Sequence, residues 1–183
     1  MLYKERVIAS VEDQDVLLRN ARAEDAENLL HYLKATAEET RFLSREPNET
    51  EDMTIEQETE FIRSRNESST DMFLVAERGN ELVGTCSFMG KGNFRRYAHR
   101  CDIGIALYQK YWGQGIGTAM LTEILSAAKQ AGYEQAELEV VSDNWSAIQL
   151  YEKIGFQKYG TFPHNMKYAD ESYADAEWML KWL

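Results

Sequence analysis

Cysteine and proline are both scarce in this chain, with two of each in 183 residues. Cys86 and Cys101 stand alone, without the CxxC spacing of a zinc site or a redox motif. Both are expected as reduced thiols of a cytoplasmic protein. They lie on either side of the 90–97 stretch, where a centred hairpin would make them cross-strand neighbours. Few prolines and 44% hydrophobic residues leave little room for disorder. No apolar run approaches the ~18 residues of a membrane span. The first thirty residues are charged throughout, unlike a signal peptide. Basic residues are in deficit, 20 against 31 acidic ones, for a net charge of −11. That argues against nucleic acid as a partner, since neutralising phosphates requires basic patches, and mildly against a purely anionic substrate. An acidic surface of this kind also serves plain solubility.

What the chain does have is glycine in one place. Tyr111-Trp112-Gly113-Gln114-Gly115-Ile116-Gly117-Thr118 sets three glycines at alternate positions before a helical pattern. Without a Cβ the backbone can turn tightly and expose its N–H groups. A helix N-terminus adds unpaired donors and a partial positive charge, so the two together make an anion cradle. No lysine follows the glycines, which excludes a P-loop. Position 118 is Thr and 120 is Met, which breaks the dinucleotide fingerprint. The plain alternative, a flexible loop before an amphipathic helix, stays open on the glycines alone.

The remaining pattern predicts one continuous α/β unit over 1–183, with 1–14 as an N-terminal extension and no linker or repeat. Val16–Arg19 is the expected first strand. Ala26, Leu29, Leu30, Leu33 and Ala37 follow helical spacing. Thr54-x-x-Gln57 is a capping box for a second helix, to about Ser64. Met72–Glu77 and Leu82–Met89 are strands around a turn at 78–81. A basic loop, Lys91 to Arg100, leads to a strand at Asp102–Leu107. Gln135–Val141 alternates, with Ala136, Leu138 and Val140 on one face and Gln135, Glu137 and Glu139 on the other. Asn144 is a natural N-cap, Ala147, Ile148, Tyr151 and Ile154 share a helical face, and Gly155 suits a left-handed helix end. Phe156–Lys167 and Tyr173–Leu183 close the sheet. Early antiparallel hairpins and a later crossover helix imply a mixed sheet.

Two motifs carry a resemblance. Trp112-Gly-Gln-Gly-Ile-Gly117 is similar to the Arg/Gln-x-x-Gly-x-Gly/Ala loop of the GNAT N-acetyltransferase superfamily, with Trp112 where that loop has Arg or Gln. Asn144-x-x-Ala147 with Leu150-Tyr151-x-x-x-Gly155-Phe156 resembles the second motif of that superfamily, in the right order and with a strand between. The resemblance runs from about Val16 to the C-terminus. It implies an α+β mixed fold: a mostly antiparallel mixed sheet splayed around acetyl-CoA and flanked by about four helices.

The same resemblance implies roles. Trp112, Gly113, Gln114, Gly115, Ile116, Gly117 and Thr118 form the pyrophosphate loop. The backbone of Ile105, Ala106 and Leu107 pairs with pantetheine, and Asn144 and Ala147 belong to the cofactor side. Tyr151 is the general acid for the leaving thiolate, against the alternative of a plain core tyrosine. Asp102 and Glu139 are candidate general bases, each equally readable as a solvated strand charge. His99 is a further candidate, more simply read as a strand-end histidine. No metal is implied.

The acceptor is expected to be a primary amine. Nine carboxylates within 38–60, and Asp170, Glu171, Asp175 and Glu177 at the end, could rim its mouth and attract a cation. A small molecule such as a polyamine, amino acid or aminoglycoside is the preferred reading. Ribosomal-protein or peptide N-termini are the alternative acceptors, and a non-catalytic acyl-CoA-binding module is the alternative of another class. A homodimer is allowed, with neither nucleic acid nor membrane as partner.

Overall fold

The computed structural model describes residues 1–11, 14–92 and 94–183. Eight strands form one sheet: β1 (Arg6–Val11), β2 (Gln14–Asn20), β3 (Asp71–Arg78), β4 (Glu81–Gly90), β5 (Arg100–Leu107), β6 (Gln135–Val141), β7 (Gln157–Lys167) and β8 (Tyr173–Trp182). Their spatial order is β1-β2-β3-β4-β5-β6-β8-β7. Every neighbouring pair is antiparallel except β5 and β6, which run parallel. A parallel pair needs a crossover, supplied here by helix α3 (Ile116–Gln130). The other helices are α1 (Ala26–Glu39), α2 (Ile55–Glu67) and α4 (Trp145–Ile154). Among the described residues, no helix is long and apolar enough to cross a membrane.

The two faces of the sheet bury different helices. Ile116, Met120, Leu121, Ile124, Leu125 and Ala128 give α3 a continuous apolar stripe, and it shares a core with Leu74, Phe88, Ile103, Leu138, Val140 and Tyr151. On the opposite face Ala26, Leu29 and Tyr32 of α1 and Ile62 of α2 cover Val75 and Leu82, with Ala106 and Tyr108 against them. Burying each such large aliphatic side chain contributes about 1.5–3 kcal/mol. Local signals set the helix boundaries. Thr54 accepts from the Gln57 N–H at 3.2 Å and Gln57 Oε1 accepts from the Thr54 N–H at 3.0 Å, the reciprocal cap expected from the sequence. That helix runs one turn past Ser64, to Glu67.

Three expectations need correction. Residues 6–11 of the expected extension form β1 and pair with β2, so Val16–Arg19 belongs to the second strand; positions 12–13, like position 93 of the basic loop, lie outside the described residues. Cys86 and Cys101 are not cross-strand neighbours. Cys86 opposes Ile105 and Cys101 opposes Gly90, because the β4–β5 connection is centred further along the chain than 90–97. Both thiols are buried and free. Finally, Glu137 is not a half-exposed strand charge but a buried one, 2% exposed.

β7 is an edge strand with exposed Tyr159 and Phe162. It carries Lys158, Lys167, Pro163 and two breaks in register, devices that blunt pairing with another chain.

Candidate active site

The parallel ladder between β5 and β6 is short. It joins Arg100 to Gln135, Cys101 to Ala136 and Asp102 to Glu137, and goes no further. β5 continues to Leu107 on the β4 side, and β6 continues to Val141 on the β8 side. The sheet therefore forks after Asp102. Beyond that point every second peptide group of β5 faces the gap without a ladder partner, the open strand edge that an extended ligand can pair with. Ile105, Ala106 and Leu107 lie on this stretch. Ile105 and Leu107 point to the α3 face and Ala106 to the α1 face.

The fork opens toward the glycine loop. Gly113 (φ 74°) and Gly115 (φ 83°) are left-handed, and a Cβ built on either would meet nothing within 4 Å. These positions need glycine for conformation, not for space. Gly117 differs: a Cβ there would sit 3.3 Å from Leu150 Cδ2, so it lets α3 approach α4. Gly115 is the N-cap of α3, and the Ala119 N–H closes the first turn on the Gly115 carbonyl at 3.1 Å. The amides of Gly115, Ile116, Gly117 and Thr118 thus precede the intrahelical ladder and are available to an anion. Trp112 does not aim its donor at that cradle. Its Nε1 donates to the Leu107 carbonyl at 3.0 Å and ties the loop to the end of β5. Gln114 likewise spends its amide on the Lys110 carbonyl, 2.7 Å away.

α4 frames the gap from the same face as α3. Asn144 Oδ1 accepts from the Ala147 N–H at 3.2 Å, and Gly155 (φ 101°) ends the helix, returning its N–H to Tyr151 and Glu152 carbonyls. Tyr151 is 8% exposed, in the core cluster that holds Leu138 and Val140, with its ring edge on Phe156 at 5.8 Å. Burial alone pushes its hydroxyl up to about 12, so it keeps its proton at neutral pH.

The carboxylates lie on the other face. Asp102 and Glu137 oppose each other on the last rung, and Glu139 is two residues further along β6 on the same side. Lys91 Nζ reaches Asp102 Oδ1 at 2.8 Å and Glu137 Oε2 at 3.2 Å. Arg100 grips Glu137 through Nε and through Nη2 at 2.7 Å, and Gln135 donates to it at 2.8 Å. Burial pushes the Glu137 carboxyl up, but the hydrogen bonds from Arg100 and Lys91 outweigh it and hold the group below the usual carboxylate range. Asp102 is therefore already neutralised by a cation. Glu139 is exposed, and its Oε2 accepts from Asn165 Nδ2 at 3.1 Å. His99 uses its backbone carbonyl to receive the Glu134 and Gln135 amides, a structural task. Lys91, Glu137 and Asn165 were not singled out by sequence. Their partners are remote in the chain, and no local spacing announces them.

Most of the acidic rim is engaged too. Glu39 accepts from the Gln109 N–H at 2.7 Å, Glu60 binds Arg63, Glu51 binds Lys34, and Glu49 caps its own turn. Glu177 holds Lys158, Thr161 and Ser142, and Asp175 accepts the His164 N–H. Two contacts tie the β7–β8 turn to the segment after α1. The Arg41 guanidinium lies 4.0 Å from the Tyr168 ring centre, with Tyr168 Oη donating to the Arg41 carbonyl, and Glu46 Oε1 accepts from the Ala169 N–H at 3.1 Å.

A forked sheet with an anion cradle at its mouth agrees with the family comparison. The model of the acetyltransferase (GNAT) domain matches residues 15–157. This chain belongs to the GNAT acetyltransferase family. It is 32% identical over 111 residues to the L-amino acid N-acetyltransferase AaaT of Escherichia coli, covering 59% of this chain and 66% of that protein. It is 35% identical over 109 residues to an N-alpha-acetyltransferase of Sulfurisphaera tokodaii, covering 55% of this chain and 65% of that one. The match to the Bacillus subtilis protein YdhI spans 58% of its length, so these curated relatives are matched over less than two thirds of themselves. Among solved structures, a GNAT-family acetyltransferase from Streptococcus pneumoniae superposes with a TM-score of 0.86 at 25% identity, over 92% of this chain and 99% of that one. The fold also matches yncA of Salmonella typhimurium, solved with its cofactor acetyl-CoA, at a TM-score of 0.79 and 17% identity, over 92% of this chain and 94% of that one.

Proposed function

We propose that this GNAT protein is an acetyl-CoA-dependent N-acetyltransferase whose acceptor is a small primary amine. The observation that carries it is the fork, with the glycine cradle at its mouth, a proton-bearing tyrosine on one face and, on the other, a carboxylate with no ion pair among the described residues. The amides of residues 113–118 would hold the pyrophosphate of acetyl-CoA. The open edge of β5 at Ile105–Leu107 would pair with the pantetheine amides, and a β5 N–H would stabilise the charge that develops on the thioester oxygen. Asn144 and Ala147 act by starting α4 and so setting Tyr151.

The acceptor nitrogen forms a bond to the acetyl carbon as the carbon–sulfur bond breaks. The nitrogen gives up a proton, and the sulfur must gain one. Glu139 takes the first, directly or through water, and Tyr151 supplies the second. Of the two carboxylates expected from sequence, Glu139 is preferred as base because Asp102 is held by Lys91. The ties at Arg41–Tyr168 and Glu46–Ala169 support a slender acceptor, since they restrict the space between α1 and the final hairpin. An exposed peptide N-terminus is the second reading, supported by the N-alpha-acetyltransferase relative.

Thiol release from acetyl-CoA with spermidine, free L-amino acids, an aminoglycoside and a ribosomal-protein N-terminal peptide tests this, with products read by mass. Turnover of a small amine is expected. Turnover of the peptide alone would move the assignment to N-terminal acetylation. A chain that binds acetyl-CoA but acetylates none of them would be a binding module.

A further inference from the structure

We propose that Asn165 is a positioning residue for the acyl-transfer step, aimed at Glu139 by a built-in distortion of β7. The proposal rests on the reading of Glu139 as proton acceptor.

β7 and β6 are not neighbours, since β8 lies between them. A side chain on a regular β7 would serve the β7–β8 pair. The register instead breaks between Phe162 and Met166. Within the break His164 adopts φ 51°, a left-handed conformation that costs a non-glycine residue free energy. Two contacts hold it there. Its N–H donates to Asp175 Oδ1 at 2.8 Å, and its ring stacks on Tyr173 with centroids 4.7 Å apart. The consequence lies one residue on: Asn165 Nδ2 reaches past β8 to Glu139 Oε2 at 3.1 Å. Bulges commonly re-aim a side chain in this way.

The rest of that face explains why the amide matters. Trp178 opposes Glu139 on β8, but its buried Nε1 makes no hydrogen bond. Lys91 and Arg100 are spent on Asp102 and Glu137. Tyr159 on β7 lies within electrostatic range of Glu137, Lys91, Arg100 and Glu139, and His164 flanks Asn165. Among the described residues, Asn165 gives the one hydrogen bond to the Glu139 carboxylate. A neutral donor orients the carboxylate without ion-pairing it, as Lys91 does Asp102. One oxygen is fixed while the other stays open to the acceptor.

The test follows the chemical shift of the Glu139 side-chain carboxyl carbon by NMR at neutral pH, with Glu139→Gln assigning the signal. In Asn165→Ala that carbon signal is expected to move, as one carboxylate oxygen loses its hydrogen bond. Turnover with the panel amine that reacts fastest should fall roughly tenfold, with KM nearly unchanged. His164→Gly keeps the left-handed backbone and should leave both readouts at wild-type values. His164→Val, which resists that backbone, should resemble Asn165→Ala, with the melting temperature of each variant showing that it is folded. An unmoved carboxyl signal in Asn165→Ala, or a moved one with full turnover, would overturn the positioning role. Full turnover in Glu139→Gln would instead overturn Glu139 as base, which separates the two failures.

Discussion

Lys91 Nζ lies 2.8 Å from Asp102 Oδ1, an ion pair at the point where the sheet forks. The same ammonium reaches Glu137, which Arg100 also grips, so two cations and two carboxylates close the last rung of the β5–β6 ladder. The sheet forks immediately beyond this cluster.

Glu137→Gln should therefore destabilise the protein. It leaves the partly exposed Arg100 and Lys91 without that countercharge, a loss of about 1.5–3 kcal/mol, the scale of a hydrogen bond to a charged group. The sign of its pH dependence follows from the depressed carboxyl. A lowered folded-state pKa contributes stability that is present above the ordinary carboxylate value of ~4.3 and lost as pH falls through the folded one. Urea unfolding from pH 7 to pH 3 should show a shallower acid loss in Glu137→Gln than in wild type. Asp25 and Glu177 are also held low and keep the variant from being flat. An equal slope in both proteins would refute the assignment.

Tyr151→Phe removes one hydroxyl and little packing. If that hydroxyl protonates the leaving thiolate, turnover should fall roughly 10²-fold with acetyl-CoA binding unchanged. Because burial raises its pKa to about 12, Tyr151 stays protonated through the neutral range, and any basic limb below about pH 10 belongs to another group. Wild-type turnover in the phenylalanine variant would reduce Tyr151 to a core residue.

Gly115 needs its left-handed backbone rather than empty space. Gly115→Ala should cost about 1–2 kcal/mol through conformation alone, and Gly115→Val more. In wild type, saturating acetyl-CoA should raise the melting temperature by mass action. The valine variant should lose that rise, because the loop can no longer present its amides. A rise of wild-type size would show that the cradle is not the cofactor site.

These sites differ in how far the sequence exposes them. The glycine loop, the Thr54–Gln57 box and the Asn144 cap follow local backbone rules, which a sequence displays directly. The alternation of β6 sorts Leu138 from Glu139 for the same reason. The cysteine register failed because it depends on where the nine-residue connection between β4 and β5 turns, which composition does not fix. Glu137 was invisible as a buried charge because Arg100 is 37 residues away in the chain. Asn165 was missed because a distorted strand breaks the period-2 rule on which strand faces are read.

The cysteines give a simple check on the β4–β5 register. Burial pushes both thiols up, Cys101 to about 12. Neither should react with a thiol reagent in the folded protein at neutral pH. Both should react in denaturant without reductant, and a count of zero there would mean a disulfide that this register does not permit.

Arg41 and Tyr168 give the strongest handle on acceptor choice. Their contact is exposed, so Arg41→Ala should cost little stability. It should nevertheless loosen the tie between the end of α1 and the β7–β8 turn, removing the guanidinium from the Tyr168 ring while the Tyr168 bond to the backbone carbonyl at 41 and the Glu46–Ala169 contact remain. If that tie limits the acceptor's width, Arg41→Ala should raise kcat/KM for a bulky amine, such as a lysine side chain on a folded protein, relative to a small amine. Activity on the small amine should change little. A fall for both acceptors in equal proportion would show that the tie orders the site as a whole rather than selecting by size.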